Sequence, residues 1–190
     1  MGKRLAVIGA VLLAFALGGA MLIQLAGAGA TAFRVEGQVL HLSGPVNGAA
    51  AERLQRLLDE NPQIAVIALG DMPGADDVVW AAQMSGLIRA AALRTELDGV
   101  VVNDAILLFL GGVARNDTGG ALVLQSDALQ QRMGVSVDRS IAADADRQRL
   151  IAAMLGDVAF AAFMGQMRAG SDEYRLTDAD MARFGLLTAN

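Results

Sequence analysis

No cysteine occurs in the chain, histidine and lysine occur once each, as His41 and Lys3, and aromatic residues make up only 4% of it. Each shortage removes a class of chemistry. Without cysteine there is neither a disulfide nor a thiolate nucleophile. One histidine and no cysteine cannot assemble a His/Cys zinc site within one chain. Because Lys3 sits at the N-terminus, the body has no lysine to act as the base of a Ser–Lys dyad or as a Schiff-base amine. Setting aside Lys3 and Arg4 leaves 13 basic residues against 20 acidic ones, a net charge of −7 that makes nucleic acid a poor partner. No metal and no cofactor is expected.

The residues that are present describe an exported domain. Lys3 and Arg4 precede an uncharged run from Leu5 to Ile23, which as a helix would measure about 28 Å, close to the hydrocarbon thickness of a bilayer. Ala30-Thr31-Ala32 fits the A-x-A pattern of a cleavage site. Residues 1–32 therefore read as a signal peptide or a membrane anchor, and both alternatives stand. Either one places residues 33–190 on the far side of a membrane, the periplasm in a bacterium. About 160 residues rich in Ala, Leu, Val and Gly make one domain of helices packed on a sheet.

Hydropathy patterning orders the elements. Val35–Ser43 alternates and reads as one strand, and Leu54, Leu57 and Leu58 mark an amphipathic helix over Ala49–Leu58. A buried strand over Ile64–Leu69, a helix over Val78–Leu93 and a strand over Val100–Val102 come next. Ile106–Leu110 is helical and Ala121–Leu124 is a further strand. Asp144–Met167 reads as a single long helix, apolar on two faces, and Thr177 with Asp180 caps a last helix that ends at Gly185. Strands alternating with helices predict an α/β fold with a largely parallel sheet.

The runs VEGQVLHLSGPVNGAAAERLQRLL, IAVIALGDMPGADDVV, LIRAAALRTELDGVVVNDAILLFLGGVAR and GGALVLQ, with the closing YRLTDADMARFGLLT, resemble exported ClpP-like proteins of the Clp-protease/crotonase superfamily. The resemblance spans Val35 to Thr188. It implies repeated strand-helix units and a site made from three places. The oxyanion turn of active members corresponds to Asp71-Met72-Pro73-Gly74-Ala75, with Ala75 where a second glycine is usual. The nucleophilic serine corresponds to Asn103, followed by Asp104 where alanine is usual, and the general-base histidine corresponds to Gln125. Asparagine has no hydroxyl to activate, and glutamine takes up no proton near neutral pH. The family's acidic residue has no counterpart that the sequence identifies.

These replacements imply a non-catalytic protein whose inherited cleft, with Gly74, Ala75, Asn103, Asp104 and Gln125, binds a peptide or an envelope protein. The alternative is a hydrolase or acyl-handling enzyme with a relocated site on Asp71 and Asp104. Asp71, Asp76, Asp77 and Asp104 could pair as acid and base or hold a hard cation, whereas Asp76 and Asp77 also suit the start of a helix. His41, mid-strand beside Ser43, reads as structural. The two-faced helix and the superfamily's rings and trimers point to a homo-oligomer, and the apolar N-terminus to membrane contact if it is retained.

Overall fold

A computed structural model describes residues 30–133, 140–170 and 172–188. The Leu5–Ile23 run lies outside them, and among the described residues no helix is long and apolar enough to cross a membrane. Ala30–Ala32 already belongs to the folded part, because the Thr31 hydroxyl donates to the Pro45 carbonyl and Ala32 pairs with Ser43.

The first expected strand is instead a hairpin. β1 (Ala32–Glu36) and β2 (Val39–Ser43) pair antiparallel, with Phe33 opposite Leu42 and Val35 opposite Leu40, so the core-facing positions change from odd to even across the turn at Gly37-Gln38. Helix α1 (Gly48–Glu60) is capped by Asn47, whose side chain accepts from the Ala50 N–H at 2.9 Å. The chain continues through β3 (Val66–Leu69), α2 (Val78–Ala90), β4 (Arg94–Leu97), β5 (Val100–Val102), a 3-10 turn at Asn103–Ala105, and α3 (Ile106–Gly111). Next come β6 (Ala114–Asp117), β7 (Ala121–Gln125), α4 (Asp127–Arg132), α5 (Ile141–Leu155), α6 (Ala159–Ala169), β8 (Glu173–Arg175) and α7 (Asp178–Arg183).

A second correction concerns the single helix expected over Asp144–Met167, which is the two helices α5 and α6. Gly156 adopts φ +84°, a left-handed conformation that costs glycine little, and its N–H closes α5 on the Ala152 carbonyl at 2.9 Å. The Asp157 side chain then accepts from the Ala159 N–H at 2.7 Å and starts the next helix.

Five strands form one sheet in the order β1-β2-β3-β4-β6, parallel from β2 onward, and β5-β7-β8 form a second. Bridges between Val46 and Ala75 and between Met72 and Val101 extend the second layer. A structural repeat results, although no repeat is visible in the residues. Each unit gives a strand to the large sheet, turns into the second layer and continues as a helix: β2–Val46–α1, β3–Ala75–α2, β4–β5–α3 and β6–β7–α4. Leu42, Leu69 and Leu97 align across the large sheet and meet the helices. Every residue of α3 is buried, as expected of a helix apolar on all sides.

The other face of the large sheet carries the row Arg34–His41–Ala68–Glu96–Asn116. His41 lies there, half-buried, with Nε2 3.2 Å from Glu36. Burial, and then the Arg34 charge, lower its pKa.

The C-terminus closes the β6 edge. Arg115, buried, donates to the carbonyls of Leu186 (2.7 Å), Gly185 (3.1 Å) and Gly112 (3.3 Å), while Thr188 pairs with its main chain. An edge strand covered in this way offers no template for pairing with another chain.

The cap expected at Thr177 is a complete capping box. Thr177 Oγ1 accepts from the Asp180 N–H at 3.2 Å, Asp180 accepts from the Thr177 N–H at 2.9 Å, and Tyr174 also donates to it at 2.8 Å. The Thr177 backbone and side-chain hydrogen bonds hold the Asp180 carboxyl below its ordinary value of 3.8. A depressed folded-state pKa adds stability above the unfolded value that is lost as pH falls through the folded one. Asp180→Asn is therefore expected to lower the unfolding midpoint at pH 7, and the difference from wild type should shrink as titration proceeds below about pH 4. Urea melts at pH 7, 4 and 3 check this.

Candidate functional site

Three chain turns meet at the ends of β3, β5 and β7. In the first, the Met72 N–H donates to the Val100 carbonyl at 2.8 Å and the Val102 N–H to the Met72 carbonyl at 2.9 Å, which lays residues 71–75 along β5. Val46 donates to the Gly74 carbonyl and accepts from the Asp76 N–H, both at 2.9 Å. In parallel pairing the residue between two such partners turns its own N–H and C=O to the opposite side, so the peptide groups of Ala75 face away from Val46. Gly74 itself holds φ +135°, a conformation that side-chain-bearing residues rarely adopt.

In the second turn Asn103, 4% exposed, takes φ +48° at the exit of β5. Asparagine tolerates this left-handed conformation better than most residues. Its side chain donates from Nδ2 to the Gln125 carbonyl at 3.0 Å and accepts at Oδ1 from the Gln125 N–H at 2.8 Å. The carboxamide thus acts as an extra rung between β5 and β7, doing what a main-chain peptide would do.

In the third turn Gln125 ends β7, and its Nε2 donates to Glu173 Oε2 at 2.9 Å. Asn103 and Gln125, picked out by sequence, are in direct contact. Glu173, which sequence reasoning missed, holds the Gln125 side chain, while Asn103 holds the Gln125 main chain.

The remaining candidates have other partners. Asp104 is buried and receives the Arg147 guanidinium on both oxygens, at 2.6 and 2.8 Å. Arg147 also reaches Asp144 at 2.6 Å, and Arg168 bonds Asp127 at 3.0 Å. Asp71 accepts from the Val100 N–H at 2.9 Å and so braces the β4–β5 turn. Gly99 lies against it so closely that a Cβ there would collide with the Gly70 carbonyl carbon. Asp77 caps α2 by accepting from the Val79 N–H at 2.9 Å, the helix-start role, and Asp76 is exposed. Among the described residues no three His, Asp or Glu side chains are grouped to hold a metal ion.

Chemically, the contact between Asn103 and Gln125 offers hydrogen-bond donors and acceptors but neither a nucleophile nor a base near neutral pH.

Solved structures share this architecture. ClpP1 from Listeria monocytogenes matches with a TM-score of 0.55 at 15% identity, covering 79% of this chain and 88% of its own. A Pseudomonas aeruginosa protein matches at 0.52 and 16%, covering 86% and 77%. A Streptomyces coelicolor protein described as an enoyl-CoA hydratase matches at 0.51 and 16%, covering 87% and 70%. No protein-family model and no curated protein matches the sequence. The chain has the ClpP/crotonase fold, a mixed α/β architecture.

Proposed function

We propose that this chain is a catalytically inactive ClpP-like protein that binds extended polypeptide in the cleft beside Gly74, Ala75, Asn103 and Gln125. One observation carries the reading: the Asn103 carboxamide is tied on both sides to the Gln125 main chain. A group in that arrangement holds strands together and attacks nothing. The outward peptide groups of Ala75 suit an added strand. An acidic body without lysine offers a poor seat to a polyphosphate carrier such as coenzyme A.

The alternative, acid–base chemistry on Asp71 and Asp104, has to contend with two carboxylates already held by Val100 and Arg147. In the inactive reading the wild type takes up no fluorophosphonate and leaves β-casein intact on prolonged incubation. Casein cleavage by the wild type would overturn this reading, and its loss on Asp71→Asn with an unchanged unfolding midpoint would establish the alternative instead.

Export by residues 1–32 to the periplasmic face, as a soluble or anchored protein, belongs to the same proposal, as does a scaffold role in the envelope. A homo-oligomer is part of it too, since among the described residues no helix covers the Arg34–His41–Ala68–Glu96 face of the large sheet and parallel sheets are usually covered on both. A monodisperse monomer by light scattering would remove that part.

A further inference from the structure

Gln130, in α4, is 6% exposed, and no described residue hydrogen-bonds its side chain. Its Nε2 lies 3.8 Å from where a Cβ on Gly74 would stand, and the Val102 carbonyl lies 3.9 Å from the same point. Its polar atoms are not sealed from solvent, so the small exposed part of this residue includes a carboxamide able to meet an incoming group. Its neighbours explain what it is suited to meet. It packs over Gly74, which is buried, next to the Ala75 peptide groups that face away from Val46.

We propose that Gln130 is a ligand-binding residue whose carboxamide pairs with a main-chain amide of an extended polypeptide laid along Gly74 and Ala75. The inference rests on the polypeptide-binding reading above and adds to it the group that recognises the ligand. A carboxamide offers one donor side and one acceptor side, which is what a peptide group requires, and being neutral it suits an uncharged segment better than a carboxylate or a phosphate. Gln130 is joined to Gln125 through the short Ser126–Leu129 connection, so the two faces of the cleft are set by one continuous piece of chain.

Fluorescein-labelled β-casein, an unfolded polypeptide, is the probe, with the full-length chain titrated by fluorescence anisotropy and melted in parallel. Gln130→Met keeps the side chain's length and removes its polar atoms. It is expected to weaken casein binding by about ten-fold while the melting midpoint stays level or rises, because no internal hydrogen bond is lost. Unchanged affinity would overturn the assignment, as would a wild type that binds no casein. Tighter binding would make Gln130 a plug rather than a ligand group, and a lowered midpoint with intact binding would make it structural. Weakened binding by Gln130→Met together with cleaved casein would support the assignment and overturn the inactive reading instead.

Discussion

Asp104→Ala is expected to destabilise the domain by about 3 kcal/mol, at the lower end of the loss typical when one partner of a buried ion pair is removed. The Asp104 and Arg147 side chains are 11% and 6% exposed, so little solvent screens the pair. Burial works against the Arg147 charge, yet Asp104 and Asp144 outweigh it and its pKa is raised. Removing Asp104 takes away its bidentate partner, and Asp144, whose side chain is 61% exposed, compensates only in part. Asp144→Ala alone should cost under about 1 kcal/mol, the usual worth of an exposed pair. The pair Asp104→Leu with Arg147→Met should recover most of the lost stability, because a well-packed apolar pair replaces a buried ionic one with little penalty. Urea denaturation of the four proteins settles it. A loss under about 1 kcal/mol for Asp104→Ala would mean that α5 is not pinned to the turn at Asn103 by this contact. The result also bears on chemistry, since a carboxylate that holds an element in place cannot be tested as a catalyst through its deletion alone.

How far residues alone reveal the fold depends on where apolar side chains point. β3 and α3 are apolar on every side, and composition exposes them. β4 and β6, with sequences RTEL and ARND, give the core Thr95, Leu97 and Arg115, so no alternating apolar pattern marks them. Arg115 enters the interior because three carbonyls from the ends of α3 and α7 await it, and the two beyond α7 lie 70 and 71 positions along the chain. The hairpin is marked only by a change of phase, from Phe33 and Val35 to Leu40 and Leu42, and Val39 beside Leu40 blurs it. At the site, Asn103 and Gln125 are reached through the resemblance, and their contact needs the fold. Glu173 stands on a three-residue strand whose core contact is Tyr174 alone, and it meets Gln125 across 48 positions, a distance over which local pattern carries no signal. Gln130 looks like any helix glutamine until its burial is known.

Restoring Asn103→Ser and Gln125→His together is expected to turn a chain that takes up no fluorophosphonate into one labelled within hours. The expectation rests on the proposed correspondence and on two features: a turn whose Ala75 peptide groups face away from Val46, and a carboxylate 2.9 Å from the side chain at position 125. An imidazole at position 125 would find Glu173 ready to orient it, and a hydroxyl at position 103 would stand at the end of the strand that pairs with β7. The exchange has a cost. Serine is too short to bridge to the Gln125 main chain on both sides as asparagine does, and it tolerates φ +48° less well. The double variant should therefore lose about 2 kcal/mol of stability. Labelling should rise through the imidazole titration near about pH 6.5 and fall when Glu173→Gln is added, and neither change is expected from adventitious reaction at a surface serine. A folded double variant that takes up no label would mean that the hydroxyl and the imidazole do not face each other across the cleft. Asn103 and Gln125 would then be a structural clasp, and the Arg34–His41–Ala68–Glu96 face of the large sheet would become the better place to look for what this protein binds.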